Sequence, residues 1–502
     1  MEVIAAALAQ LLAPATLLAM LLAGIFGLLV GAIPGLTATM AIALLVPLTF
    51  YMDPVPAIAA MVSASAMAIF AGDLPAVLLR MPGTPASAAY TDAVHRMTLA
   101  GKAELALGIC LVTSCLGGLF GALVLTLAAP ELAELALNFS SFEYFWLACL
   151  GLTCAAFVAG RDPLKGVVAL LLGLLFSTVG LDPITGVTRF TFGSVDLVGG
   201  LGLVPVLIGM FAVAEILRAV TAVDPPEMLV QRRIGNVFEG LLPVLWRHRW
   251  EVLRGNLVGV LIGALPGVGA DIAAWISYAI GKRRAERTGQ QDGEVAAIAS
   301  AGAANNASLG GAYVPATVFG IPGDSITAIV IGVLFMKGLT PGPTVFLHQP
   351  ALIYAVFFSF FLANLMLLPL GLLAIRVCRQ ILAVPRQALM PVILLFCIIG
   401  AFAMTNTIYS VWVMLAMGIL GWLMEENGYP VAPLVLGLVL GPMVQDNFLT
   451  SMMKSDGQIW AFFSRPLAGT FGAITFLVWL APLGLRLHRA LRRRDGVAAG
   501  RI

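Results

Sequence analysis

Long apolar runs separated by short polar punctuation dominate the chain. The runs Thr16 to Val30, Leu105 to Leu127, Val167 to Val179, Leu352 to Ile375 and Val411 to Met424 contain no charged residue. Apolar stretches of about 18 residues or more predict membrane-spanning helices, and shorter ones predict tilted, broken or re-entrant segments. The pattern predicts about 12 helices, give or take two, in an all-α, polytopic membrane protein.

Two of these segments are interrupted, and each interruption has a counterpart later in the chain. "GAIPGLTATMAIALLVPL" from Gly31 aligns with "GALPGVGADIAAWISYAI" from Gly263, an offset of 232. "LPAVLLRMPGT" from Leu74 aligns with "VPATVFGIPGD" from Val314, an offset of 240. The eight-residue difference fits an insertion in the polar loop "RRAERTGQQDGE". Internal repeats of this kind predict two membrane halves with Pro-Gly-broken or re-entrant helices. The division expected is a first repeat over 1–222, a basic linker over 223–250, a second repeat over 251–487 and a basic tail over 488–502.

Paired Gly/Pro interruptions in two halves point to a transporter's binding site. Proline removes a backbone donor and glycine permits the bend. The freed polar groups persist only where protein or a water-filled cavity satisfies them. Each break launches a new segment. Thr84 is a good N-cap with Pro85 in the first helical position, and Asp324 or Ser325 caps in the same way. Helix N-termini so placed attract carboxylates or phosphates. The expected anion-binding set is therefore Pro34, Gly35, Thr37, Thr39, Arg80, Pro82, Gly83, Thr84, Pro85, Ser87, Pro266, Gly267, Pro322 and Gly323. The second half is richer in carboxylates and amides, so Asp271, Asn305, Asn306, Ser308, Asp324 and Ser325 are expected to hold a coupling Na⁺ or H⁺.

Plainer readings stand beside these. The Pro-Gly pairs can be simple kinks, and Asn305–Asn306 can be interhelical glue. Asp271 can cap a helix, and Arg80 can snorkel to a headgroup. Glu425 and Glu426 read as a solvated turn before "NGYP", and His95, His248, His348 and His488 are scattered.

Composition supports the membrane reading. Of 502 residues, 60% are hydrophobic and 11% charged, and the mean hydropathy is +1.00. That charge cannot cover a water-facing surface. All six cysteines lie in apolar stretches without metal-ligand spacing, so no transition metal is expected. Basic residues cluster at Arg232 to Arg254, Lys282 to Arg287, Arg376 to Arg386 and Arg486 to Arg494, which puts the central loop and the tail in the cytoplasm. Glu2 stands where a cleavable signal would carry a basic region. Basic clusters at both ends of the segments flanking Pro266 favour a re-entrant hairpin over a single broken crossing. The net charge of +2 points to no particular partner, and the basic tail reads as a stop-transfer anchor, not a nucleic-acid patch.

At these residues the chain resembles the large membrane subunit of the tripartite tricarboxylate transporters, the TctA family. The resemblance runs from about Gly24 to Pro442 and is carried by "PAVLLRMPGTPASAA", "GLDPITGVTRFTFGS", "AANNASLGGAYVPATVFGIPGD" and "GLTPGP". It implies a bacterial inner-membrane permease working with a small membrane subunit and a periplasmic solute-binding protein. It further implies cation-driven import of carboxylates such as citrate. Two departures stand out: Gly302 where family members commonly carry an acidic residue, and Val94–His95–Arg96 where they commonly read "GYP". Other readings are a permease for a different small organic anion, or a non-transporting sensor derived from one. An enzyme is disfavoured: H-E-x-x-H, G-x-S-x-G and Walker A patterns are missing from the sequence.

Overall fold

The computed structural model describes residues 2–158, 162–182, 185–221, 235–288, 292–382 and 386–480. Arg232, Arg233 and the expected basic tail lie outside the described residues. The first half begins with α1 (Glu2–Leu11) and α2 (Pro14–Ala32), breaks at Pro34–Gly35, and resumes as α3 (Ala38–Thr49), α4 (Pro54–Ala71) and α5 (Asp73–Leu79). After Pro82–Gly83 come α6 (Thr91–Leu99), α7 (Ala103–Ala136), α8 (Ser141–Val158) and α9 (Pro163–Ser177). A small antiparallel pair, β1 (Gly180–Leu181) and β2 (Thr188–Arg189), precedes α10 (Leu203–Leu207), which runs through a π-helical turn (Ile208–Val213) into α11 (Ala214–Thr221).

The second half holds α12 (Leu241–Arg247) and α13 (Arg249–Gly263), then the Pro266–Gly267 break and α14 (Gly269–Thr288). The 26-residue α15 (Gly293–Val318) leads to the Pro322–Gly323 break and α16 (Ser325–Met336). It closes with α17 (Pro343–His348), α18 (Pro350–Leu382), α19 (Arg386–Thr405), α20 (Ile408–Glu426) and α21 (Val431–Lys454). The protein is an all-α, polytopic membrane protein. Among the described residues, seven helical stretches are long and apolar enough to cross a bilayer, and seven apolar helices are shorter. Several of the shorter ones, α3 and α16 among them, flank the breaks: proline and glycine cut apolar runs that would otherwise be continuous.

The segments flanking Pro34 and Pro266 each fold back as a hairpin. At the open end of the first, Gln10 to Thr16 share a cleft with Asp53 to Pro56 and His348 to Leu352. At the open end of the second, Arg247 Nη1 lies 2.9 Å from Asp292 Oδ2 and Arg284 Nε lies 3.8 Å from Glu251 Oε1. The two hairpins open at opposite ends of the molecule. The continuous helix Pro54–Leu79, about 39 Å long at 1.5 Å per residue, separates the first open end from Arg96 to Leu105. Those residues share a cleft with Val244, His248 and Asp292. α4 and α15 therefore run antiparallel.

Small residues let each hairpin approach its neighbouring helix closely, the usual device where no hydrophobic effect drives helices together. A methyl group added at Gly27 or Gly31 would stand 2.4 or 2.5 Å from the carbonyl oxygen of Ala64 or Ala68 on α4. A methyl at Gly259 or Gly263 would stand 2.4 or 2.2 Å from that of Ala304 or Ser308 on α15. These contacts recur at the offsets 232 and 240 read from the sequence.

Candidate functional site

All four breaks reach one cavity of about 490 Å³. The first supplies Thr37 and Thr39, the second Thr84 and Pro85, the third the stretch Gly267 to Ile272, and the fourth Asp324, Ser325 and Ile326. Asn305 enters from the middle of α15, and Met210 and Phe211 from the π-helical turn.

Local chemistry explains why the chain turns where it does. Gly35 and Gly267 hold φ of 88° and 77°, a left-handed conformation that glycine adopts without strain. Thr37 caps α3, its Oγ1 accepting from Met40 N at 3.2 Å. Asp324 caps α16 through a capping box: Thr327 N donates to its Oδ1 at 2.8 Å, and Asp324 N donates to Thr327 Oγ1 at 2.9 Å. Gly267 N donates to Gly323 O at 2.8 Å, tying together the two breaks of the second half.

The sequence expectation differs from the structure at Thr84. Thr84 and Ser87 bond each other reciprocally, N–H to hydroxyl, at 3.1 and 3.2 Å. They lead into a single 3₁₀ turn, Ser87–Ala89, and an α-helix resumes only at Thr91. The turn consumes its own donors, and Tyr90 is pinned by its hydroxyl, which donates to Asp73 Oδ1 at 2.6 Å. Asp271 lies in the first turn of α14, where the backbone N–H of Ala86 donates to its carboxylate. Trp275 Nε1 donates to Pro85 O at 3.1 Å. The two halves thus touch directly beside the cavity.

Asn305 is 2% exposed, and its side chain hydrogen-bonds Tyr90 while its Oδ1 has no protein partner. A buried amide oxygen on a cavity wall is an acceptor waiting for a donor or a cation. Asn306 turns the other way, its Nδ2 donating to Ser114 Oγ at 3.0 Å and Asn364 Oδ1 at 3.2 Å. It joins α15 to α7 and α18. Ser308 Oγ bonds back to Asn305 O at 2.6 Å within the helix. Neither Asn306 nor Ser308 lines the cavity. Pro34, Gly35, Pro82, Gly83, Ser87, Pro266, Pro322 and Gly323 shape the turns without lining it.

Arg80 is outside the cavity altogether. It ends α5 in a left-handed conformation (φ 58°), which aims its side chain outward, 66% exposed, to donate from Nε to Asp92 Oδ1 at 2.8 Å. Its guanidinium holds the Asp92 carboxyl below the usual carboxylate range.

The cavity's guanidinium is instead Arg218, on α11. Its Nη1 lies 2.9 Å from Glu215 Oε2 and its Nη2 pairs with Glu425 Oε2 at the end of α20; all three line the cavity. Sequence reasoning missed Glu215 and Arg218 and set Glu425 aside as a solvated turn. The available signal was a Glu and an Arg three apart inside the otherwise apolar "FAVAEILRAV", since ionisable residues in a membrane segment mark functional sites. The lining carries four carboxylates (Glu215, Asp271, Asp324 and Glu425) against one guanidinium, a formal balance of −3 when all are ionised.

Broken helices meeting at an internal cavity of a polytopic bundle are the architecture of a membrane transporter, not of an enzyme. Residues 17–436 match the tripartite tricarboxylate transporter TctA family, and the chain belongs to that family. It is 33% identical over 458 residues to an uncharacterized 52.8 kDa protein in the TAR-I ttuC′ 3′ region of Agrobacterium vitis, covering 90% of this chain and 89% of that one. It is 32% identical over 228 residues to an uncharacterized protein in the TAR-II ttuC′ 3′ region of the same organism, covering 45% of this chain and 94% of that one. No solved structure matches.

Proposed function

We propose that this chain is the permease subunit of a binding-protein-dependent secondary transporter in the bacterial inner membrane. It imports tricarboxylates or related carboxylates, coupled to a Na⁺ or H⁺ gradient. Its partners in this reading are a small membrane subunit and a periplasmic solute-binding protein.

The observation that carries the reading is the cavity on which all four breaks converge. The N-termini of α3, α14 and α16 each present about half a positive charge to an anion. Against them stand the four carboxylates. A multiply charged anion entering an acidic, partly desolvated cavity meets repulsion of several kcal/mol per close pair, on the order of 4 at 4 Å. Entry becomes favourable when cations or protons neutralise Asp271, Asp324 and their neighbours first. Coupling then follows from electrostatics: the cation makes the anion's site. Asn305 Oδ1, Ser325 and the two aspartates are the ligands offered to that cation.

The two halves are read as inverted copies. Supporting this are hairpins opening at opposite ends, antiparallel α4 and α15, and glycine contacts repeated at the same offsets. Alternating access would use one hairpin tip as the gate to each side.

The test is tracer uptake of a panel of di- and tricarboxylates into proteoliposomes. This chain is compared alone, with its small subunit, and with the binding protein added, under imposed Na⁺ or proton gradients. Uptake requiring all components and one gradient is the expected result. Absence of uptake for every carboxylate with all components assembled refutes the reading.

A further inference from the structure

We propose that Arg218 is the receptor for a substrate carboxylate and that Glu425 is its stand-in, displaced when substrate arrives. The proposal rests on the reading of the cavity as a carboxylate site and names the residue that recognises the anion there.

Arg218 is the one Lys or Arg among the residues lining the cavity. A guanidinium offers a planar fork of donors matched to carboxylates, and an always-charged one. Its two partners differ in kind. Glu215 lies one turn away on the same helix and moves with Arg218. Glu425 belongs to α20, at its last turn, followed by Asn427 and then Gly428 at φ 71°. Glu425 is also the more accessible of the two, with 33% of its side chain exposed against 13% for Glu215. An incoming carboxylate has the same chemistry as Glu425. Exchanging one for the other at Arg218 keeps its hydrogen bonds intact, so the swap is nearly balanced and a second anchor on the substrate tips it.

The helix carrying Arg218 is built to shift. The π-helical turn Ile208–Val213 lies just before Glu215, and π turns interrupt helices mostly at functional sites. α20 packs on that turn through glycines. A methyl at Gly418 would stand 2.4 Å from Val213 Cγ1, and one at Gly421 would stand 3.2 Å from Met210 O. Smooth contact of this sort permits sliding once the Arg218–Glu425 tie is broken. Substrate binding at Arg218 would therefore release α20 from α11.

The test uses the full transporter in proteoliposomes and a counterflow panel of acetate, succinate and citrate. Glu425→Gln should lower the half-saturation concentration of the carboxylate that the wild type takes up by about tenfold, because the competing carboxylate is gone. Arg218→Gln should raise it by about a hundredfold, and Arg218→Lys, which keeps the charge but loses the fork, by about tenfold. The gain of affinity in Glu425→Gln is the decisive sign, since loss of a purely structural ion pair would not tighten binding. If the wild type takes up none of the panel, the carboxylate reading itself fails before any variant is compared. If the wild type transports but Glu425→Gln and Arg218→Lys leave half-saturation unchanged, the stand-in role is overturned and the carboxylate reading survives.

Discussion

Asp324 has two separable jobs, and one substitution divides them. Asp324→Asn keeps the side-chain oxygen that accepts from Thr327 N, and asparagine caps helices about as well as aspartate. α16 should therefore form as before. What disappears is one of the four cavity carboxylates. At 4 Å and an effective dielectric constant of 20, a carboxylate attracts a monovalent cation by about 4 kcal/mol. If half of that is offset by desolvation, about 2 kcal/mol remains, or roughly thirtyfold in cation affinity. The assay is half-saturation for Na⁺ at fixed pH, and for protons without Na⁺, in proteoliposomes holding all components. Asp324→Ala serves as the comparison: it loses the cap as well, at a further cost of about 1 kcal/mol in stability. A well-folded Asp324→Asn with unaltered cation dependence would make Asp324 a helix cap and nothing more.

Gly263→Ala drives a methyl to within 2.2 Å of Ser308 O, so it should cost about 1–3 kcal/mol and lower the thermal midpoint in detergent; Gly31→Ala should do the same against Ala68. Tyr90→Phe leaves the buried Asp73 carboxylate without its hydroxyl donor, a loss of about 1–3 kcal/mol visible in thermal unfolding. Arg80→Ala should leave carboxylate half-saturation unchanged, because its guanidinium faces Asp92 outside the cavity. A raised half-saturation constant there would return Arg80 to the site.

The breaks were legible because proline and glycine act locally: Pro34–Gly35 and Pro266–Gly267 bend the chain whatever surrounds them. Thr37 and Asp324 were legible as caps for the same reason. Thr84 was not, since its fate depends on Tyr90 reaching Asp73, a tertiary contact that overrides the capping pattern. Arg80 misled because nearness in sequence to Pro82 says nothing about direction, and a left-handed residue at the end of α5 reverses it. The Arg218–Glu425 pair joins helices far apart in the chain, so no local pattern announced it. Continuous spans could not be counted either, because hydropathy does not distinguish a crossing from half of a hairpin.

The hairpin formed by α13 and α14 also constrains how the protein is made. It leaves by the face through which it entered, so the chain before Arg249 and the chain after Thr288 lie on the same side of the bilayer. The glycine face of α13 at Gly255, Gly259 and Gly263 fits the carbonyls of Ser300, Ala304 and Ser308, all of which are translated later. While the ribosome is still synthesising α15, that face has no surface to seat on. The hairpin must wait at the membrane and dock once its partner helix arrives. Lesions along α15 should then act on assembly during synthesis, with the hairpin left undocked and open to quality-control proteases.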